Sequence, residues 1–125
     1  MSTITRQLHQ SLLSGEVSSA DLVRQSLDRI TAGDGQVKAF LKTEAESALA
    51  QAESIDALRK AGQPVGLLDG LPVGLKDNIC VNGTTATCGS RILENFISPY
   101  DSHVAGRLKS EGAVLLGRLN QDEFA

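Results

Sequence analysis

A single lysine stands at the end of an apolar, glycine-punctuated run, Gly70-Leu71-Pro72-Val73-Gly74-Leu75-Lys76, and is followed at once by Asp77 and Asn78. A half-exposed strand alternates apolar and polar residues. This one stays apolar apart from Pro72 and Gly74, which predicts a buried strand whose end presents one amine to a site. A neutral amine accepts protons, so Lys76 is the candidate general base. An ordinary lysine, with a pKa of ~10.4, is neutral in about one molecule in a few thousand at pH 7. The role therefore needs burial or a neighbouring cation, and the apolar strand end is expected to supply the desolvation. The structural alternative is a lysine that carries its ammonium to water along its aliphatic stem. On a strand Asp77 faces away from Lys76. Asp77 and Asn78 are then expected to hold the following loop; an Asp77–Lys76 pair would instead keep the amine charged.

The other candidates carry less chemistry. His9 falls in a helical stretch and His103 in the first turn of a later helix, and both read as surface or capping residues. Cys80 and Cys88 lie eight residues apart with no second ligand pair, whereas a zinc site wants about four ligands in close pairs. Neither a metal nor a cofactor site is expected, and the cysteines read as free thiols. The glycines at 66, 70, 74, 83 and 89 lack the order of a phosphate-binding loop and read as turns or close backbone approaches. Asp122 and Glu123 suit a helix N-terminus, with partner contacts as the alternative.

The elements that must position Lys76 follow from periodicity. Ile4, Leu8, Leu12 and Leu13 recur at helical spacing, with a stop at Gly15. Ser18 can cap a second helix through the N–H of Asp21; its stripe of Leu22, Val23, Leu27 and Ile30 runs up to Gly33-Asp34-Gly35. Ala39-Phe40-Leu41 is a plausible short strand. Thr43-Glu44-Ala45-Glu46 has the pattern of a capping box for a third helix, which ends at Ala61-Gly62. Pro64 marks a change of character. Strand 71–76, a crossover containing helix 102–111, and the apolar strand 113–117 then make a βαβ unit. The expected class is α/β: a mainly helical lead-in over 1–63, then the start of an α/β core over 64–125. Nothing in the last residues, Asn120 to Ala125, resembles a natural end. The chain reads as an N-terminal piece of one longer domain, its strand 113–117 left with an unpaired edge.

Composition bounds the rest. The chain has 125 residues, 41% hydrophobic and 22% charged, with 3% aromatics and no Trp, so a modest core must be built from Leu, Val, Ile and Ala. A net charge of −3 argues against a broad nucleic-acid landing surface on this segment. No run approaches the ~20 apolar residues of a membrane span. The start lacks the features of a signal or transit peptide, and a cytoplasmic location is the default expectation.

Three segments resemble the amidase signature family: 70–78, Gly112-Ala113-Val114-Leu115-Leu116-Gly117, and Asn120-Gln121-Asp122-Glu123-Phe124-Ala125. The stretch from Thr84 to Phe96, with Pro99-Tyr100-Asp101, is similar to the branch of that family that serves tRNA-dependent amidotransferases. The lead-in segments 18–23 and 38–41 also fit, so the likeness covers essentially the whole chain. It implies the first βαβ portion of a mixed-sheet amidase fold and a Ser–Ser–Lys triad with Lys76 as proton acceptor. It further implies two serines on a segment after Ala125, and an oxyanion hole of backbone N–H groups. In the tRNA-linked branch it implies glutamine as the ammonia source. A partner B subunit then uses ATP and magnesium on misacylated tRNA, and a C subunit joins the two. A stand-alone amidase acting on a small amide, and a non-catalytic binding remnant, are the rival readings. The isolated chain is expected to hydrolyse no glutamine and to aggregate.

Overall fold

A computed structural model of the chain describes residues 3–125. The order is α1 (Thr3–Ser14), α2 (Ser19–Val37), β1 (Phe40–Thr43), α3 (Ala45–Lys60), β2 (Pro72–Lys76), α4 (His103–Ser110) and β3 (Val114–Leu119), with one 3-10 turn at Arg91–Leu93. The three strands form one mixed sheet in the order β1-β3-β2, with β2 and β3 parallel and β1 and β3 antiparallel. The α/β class and the β2–α4–β3 unit expected from the sequence are therefore present.

The sheet is sandwiched. Val114 and Leu116 of β3 pack with Ala20 and Val23 of α2 and Ala48 and Ala52 of α3 on one face. Leu115 points the other way, with Leu75, Val81 and Ala105 of α4. This alternation along β3 is the period of two expected of a strand buried on both faces. Leu12 of α1, Leu22 of α2 and Leu71 form a third, smaller cluster that ties the first helix down. Ala20 of α2 and Ala48 and Ala52 of α3 are buried in this cluster, so the helices meet through small side chains rather than aromatic ones.

Four expectations need correction. The first concerns β3, which was expected to end at Gly117 with an open edge. It is instead the middle strand and runs on to Leu119; β1 and β2 take the edges. Its β1 neighbour comes from the lead-in, so the helical half and the core share one sheet. Second, α2 does not stop at Gly33-Asp34-Gly35 but continues to Val37. The Asp34 carbonyl accepts the Lys38 N–H at 2.7 Å, and its carboxylate accepts the N–H groups of Ala39 and Phe40 at 2.8 and 3.1 Å. These bonds reward a helix that holds two glycines, each of which costs about 1 kcal/mol in a helix interior. Lys38 ends the helix in the left-handed conformation, φ 54°. Third, no capping box forms at α3: Thr43 is engaged in β1, and Glu44 takes the cap position without a side-chain cap bond. Fourth, Asp122 and Glu123 start no helix but lie in a bend and a turn.

A polar network fastens α2 and α3 to the approach to β2. The Asp56 carboxylate accepts the N–H groups of Ser19 and Ala20 at 2.9 and 3.1 Å, so a residue of α3 caps α2. Burial pushes the Asp56 pKa up, but the two backbone N–H bonds, with help from Ser19 and Arg59, outweigh it and leave it below the ordinary value. Arg59 pairs with Asp56 at 2.7 Å and also with the buried Asp69. Gly70 follows with φ 74°, and a Cβ there would collide with the Ser19 hydroxyl.

Candidate functional site

Lys76 closes β2, and Asp77 and the following turn begin there. Leu75 and Asp77 are buried and Lys76 is exposed, as alternation along the strand requires. The expected separation of Asp77 from the amine is thus present. The expected desolvation is not: an edge strand leaves its terminal side chain in solvent, and the described residues do not cover it. The Lys76 Nζ donates to the backbone carbonyl of Asn120 at 2.8 Å. Directly beside it the Asp77 N–H donates to the Leu119 carbonyl at 3.1 Å, extending the β2–β3 pairing one residue further.

Asp77 holds the loop. One carboxylate oxygen accepts the Thr87 N–H at 3.0 Å and the Thr87 hydroxyl, and the Asp77 carbonyl accepts the Cys88 N–H at 3.1 Å. The other oxygen accepts from Arg118 Nε at 3.2 Å. Arg118 Nη2 donates to the Ile79 carbonyl at 2.6 Å. This buried arginine was missed in the sequence, where it sits just past an apolar run that looked complete at Gly117. Its signal is the pairing of two parallel strands, one continuing into an acid and the other ending near a base. Gly117, read in the sequence only as the last residue of the strand, opposes Thr43 across the β1–β3 ladder, and a Cβ there would run into the Lys42 carbonyl.

The remaining candidates are dispersed. His9 lies half-buried on α1, and His103 is the exposed first residue of α4, which Ser102 caps through the Ala105 N–H. Cys80 and Cys88 are free thiols. Cys80 lies beside Tyr100 and raises the pKa of its hydroxyl, chiefly by hydrogen bonding. Glu123 accepts the Ser90 hydroxyl at 2.6 Å, tying the chain after β3 to the loop after β2. Asp101 binds the Asn82 N–H and Lys109, and the Lys109 contact contributes most to holding its pKa below the ordinary value.

A family model described as Amidase matches residues 21–125. The chain belongs to the amidase signature family. Among curated relatives, the A subunit of glutamyl-tRNA(Gln) amidotransferase from Nostoc punctiforme is 48% identical over 120 residues, 96% of this chain and 25% of that protein. The chain therefore spans about a quarter of the length of such relatives. Amidase-family structures share the fold. The peptide amidase of Stenotrophomonas maltophilia matches with a TM-score of 0.88 and 34% identity over 94% of this chain and 24% of that one. A chain from a vestigial complex connected with the origins of an s-triazine catabolic enzyme matches with a TM-score of 0.92 and 38% identity over 97% of this chain and 27% of its own. Within this amidase-family chain, the structure brings the end of β2, the residues after β3 and the 87–90 loop to one place. Lys76 is exposed there and donates to the Asn120 carbonyl.

Proposed function

We propose that this chain is the N-terminal part of the glutaminase subunit of a tRNA-dependent amidotransferase that converts Glu-tRNA(Gln) to Gln-tRNA(Gln). The observation that carries the reading is the 48% identity to the A subunit of such an enzyme over nearly the whole chain. The placement of Lys76 is compatible with it: an amine at a strand end, hydrogen-bonded to a carbonyl and separated from the adjacent carboxylate. In this reading Lys76 is the proton acceptor of a Ser–Ser–Lys triad whose serines lie on a segment after Ala125. One serine relays the proton and the other attacks the amide carbon of glutamine, releasing ammonia. The rest of the protein would supply the low-dielectric cover that Lys76 lacks here, since a lysine acts as a base only when its neutral form is accessible. The ammonia passes to a B subunit, which uses ATP and magnesium on the misacylated tRNA, with a C subunit holding the pair together in the cytoplasm. ATP and magnesium belong to the partner; no residue of this chain is assigned to them.

The likeness to a peptide amidase favours a second reading, a stand-alone amidase acting on a small amide. Reading the coding sequence beyond Ala125 comes first. An open frame with a Gly/Ser-rich segment holding two serines supports the triad, and a stop codon makes the chain a non-catalytic remnant. In the complete protein, Lys76→Ala should abolish ammonia release from glutamine. Full amide hydrolysis by the protein purified without partners would favour the stand-alone enzyme.

A further inference from the structure

We infer that Asn120 is a positioning residue for Lys76, and that the end of α2 anchors it. This rests on the reading of Lys76 as the triad base. The Asn120 carbonyl accepts the Lys76 Nζ at 2.8 Å. A backbone carbonyl just past a strand end would ordinarily move with its loop, but four further contacts fix this one. The Asn120 N–H donates to the Ala39 carbonyl at 2.7 Å. Its Nδ2 donates to the Lys38 carbonyl at 3.1 Å, and its Oδ1 accepts the Gln121 N–H at 2.9 Å. On the preceding side, the Asp77 N–H holds the Leu119 carbonyl.

The Lys38 and Ala39 carbonyls are placed in turn by Asp34, which binds the N–H groups of Lys38, Ala39 and Phe40. The left-handed conformation of Lys38 turns the chain so that its carbonyl meets the Asn120 amide. A line of hydrogen bonds thus runs from Asp34 through Lys38 and Ala39 to Asn120 and then to Lys76. Holding one N–H of the amine fixes where Nζ sits and leaves its remaining valences for the serine that hands over the proton. The side chain of Asn120 suits this task because it donates and accepts at once, bridging two separate backbone groups.

The test uses the complete protein assembled with its partner subunits, with ammonia release from glutamine as the assay. Asn120→Ala removes both side-chain bonds, and Asn120→Asp keeps the Gln121 contact while setting a carboxylate against the Lys38 carbonyl. Both should lower kcat by about 10- to 100-fold with KM nearly unchanged, since a misplacement near 1 Å costs about that much in rate. Leu12→Ala, in the cluster around α1, should lower the melting temperature without lowering kcat and serves as the control for general destabilisation. Should Asn120→Ala not fold, Asn120→Asp carries the test. If Lys76→Ala is inactive while the Asn120 variants keep the kcat of wild type or of the control, the positioning role is overturned and the base assignment stands. If Lys76→Ala remains active, the base assignment fails and the positioning role with it.

Discussion

Asp77 and Arg118 form the most deeply buried ion pair among the described residues, with side chains 2% and 4% exposed. Removing either partner leaves a charge in a low dielectric with nothing opposite it. Asp77→Ala should therefore destabilise the protein by about 3–5 kcal/mol, whereas Asp77→Leu combined with Arg118→Met should cost less than Asp77→Ala alone. Urea unfolding of the single and double variants measures both. The pair also separates two roles for Asp77. Its carboxylate spans Thr87 and Arg118 and stays off the lysine, so under the proposed function a complete Asp77→Ala protein that folds should keep the pH profile of its glutamine hydrolysis. A shifted profile would mean that the carboxylate acts on the amine after all. Lys76 stands out in the sequence as a candidate because its setting contrasts with its charge. Arg118 does not, because hydropathy alone ends a strand at the first cation and cannot see the carboxylate across the ladder that makes the cation tolerable.

Helix α2 is held at both ends by aspartates, and neither is a conventional cap. At its start, Asp56 of α3 receives the Ser19 and Ala20 N–H groups. The folded pKa of Asp56 is depressed, so its contribution is fully present above the ordinary carboxylate value of ~3.9 and is lost as pH falls through the lower folded value. Stability of the wild type should therefore drop more steeply than that of Asp56→Asn as the pH falls below about 4, as followed by denaturant midpoints. At its end, Asp34 gathers three N–H groups beyond the last turn. The helices, the strand β2 and the crossover were readable from spacing because local periodicity reports local structure. The glycines at 33 and 35 misled because a breaker's effect is decided by what the intervening residue can bond, which depends on residues outside the window. The capping box failed for a related reason: Thr43 is claimed by β1 before α3 can use it. Gly117→Ala tests the tightness of that ladder, and a loss of stability of about 1–3 kcal/mol is expected from forcing a methyl against the Lys42 carbonyl, seen as a lowered melting temperature.

At the scale of the whole molecule, β1 and β2 are the edges of the sheet that the described residues form, and much apolar surface stays exposed. Ile92 is 83% exposed, and Phe96, Ile97, Tyr100 and Val104 are also open to solvent. All but Val104 fall in the segment 84–101, whose sequence resembles the tRNA-linked branch. Exposed apolar groups of this kind together with open edges favour association. The 125 residues alone should self-associate with rising concentration, as size-exclusion chromatography with light scattering would register, and should release no ammonia from glutamine. A monodisperse monomer with glutaminase activity would contradict both expectations. Among the described residues no helix is long and apolar enough to cross a membrane.

The central place of β3 has a temporal side. During synthesis the ribosome delivers β1 first and β2 later, and the strand that joins them leaves last. At ~5–20 residues per second, the stretch between Thr43 and Val114 takes on the order of several seconds to emerge. Through that interval β1 has no strand partner, and α1, α2 and α3 have only one another to pack against. Until Val114 to Leu119 arrive and pair with both β1 and β2, α2 and α3 lack the sheet face they later cover, and their apolar side chains stay open to chaperones or to premature association.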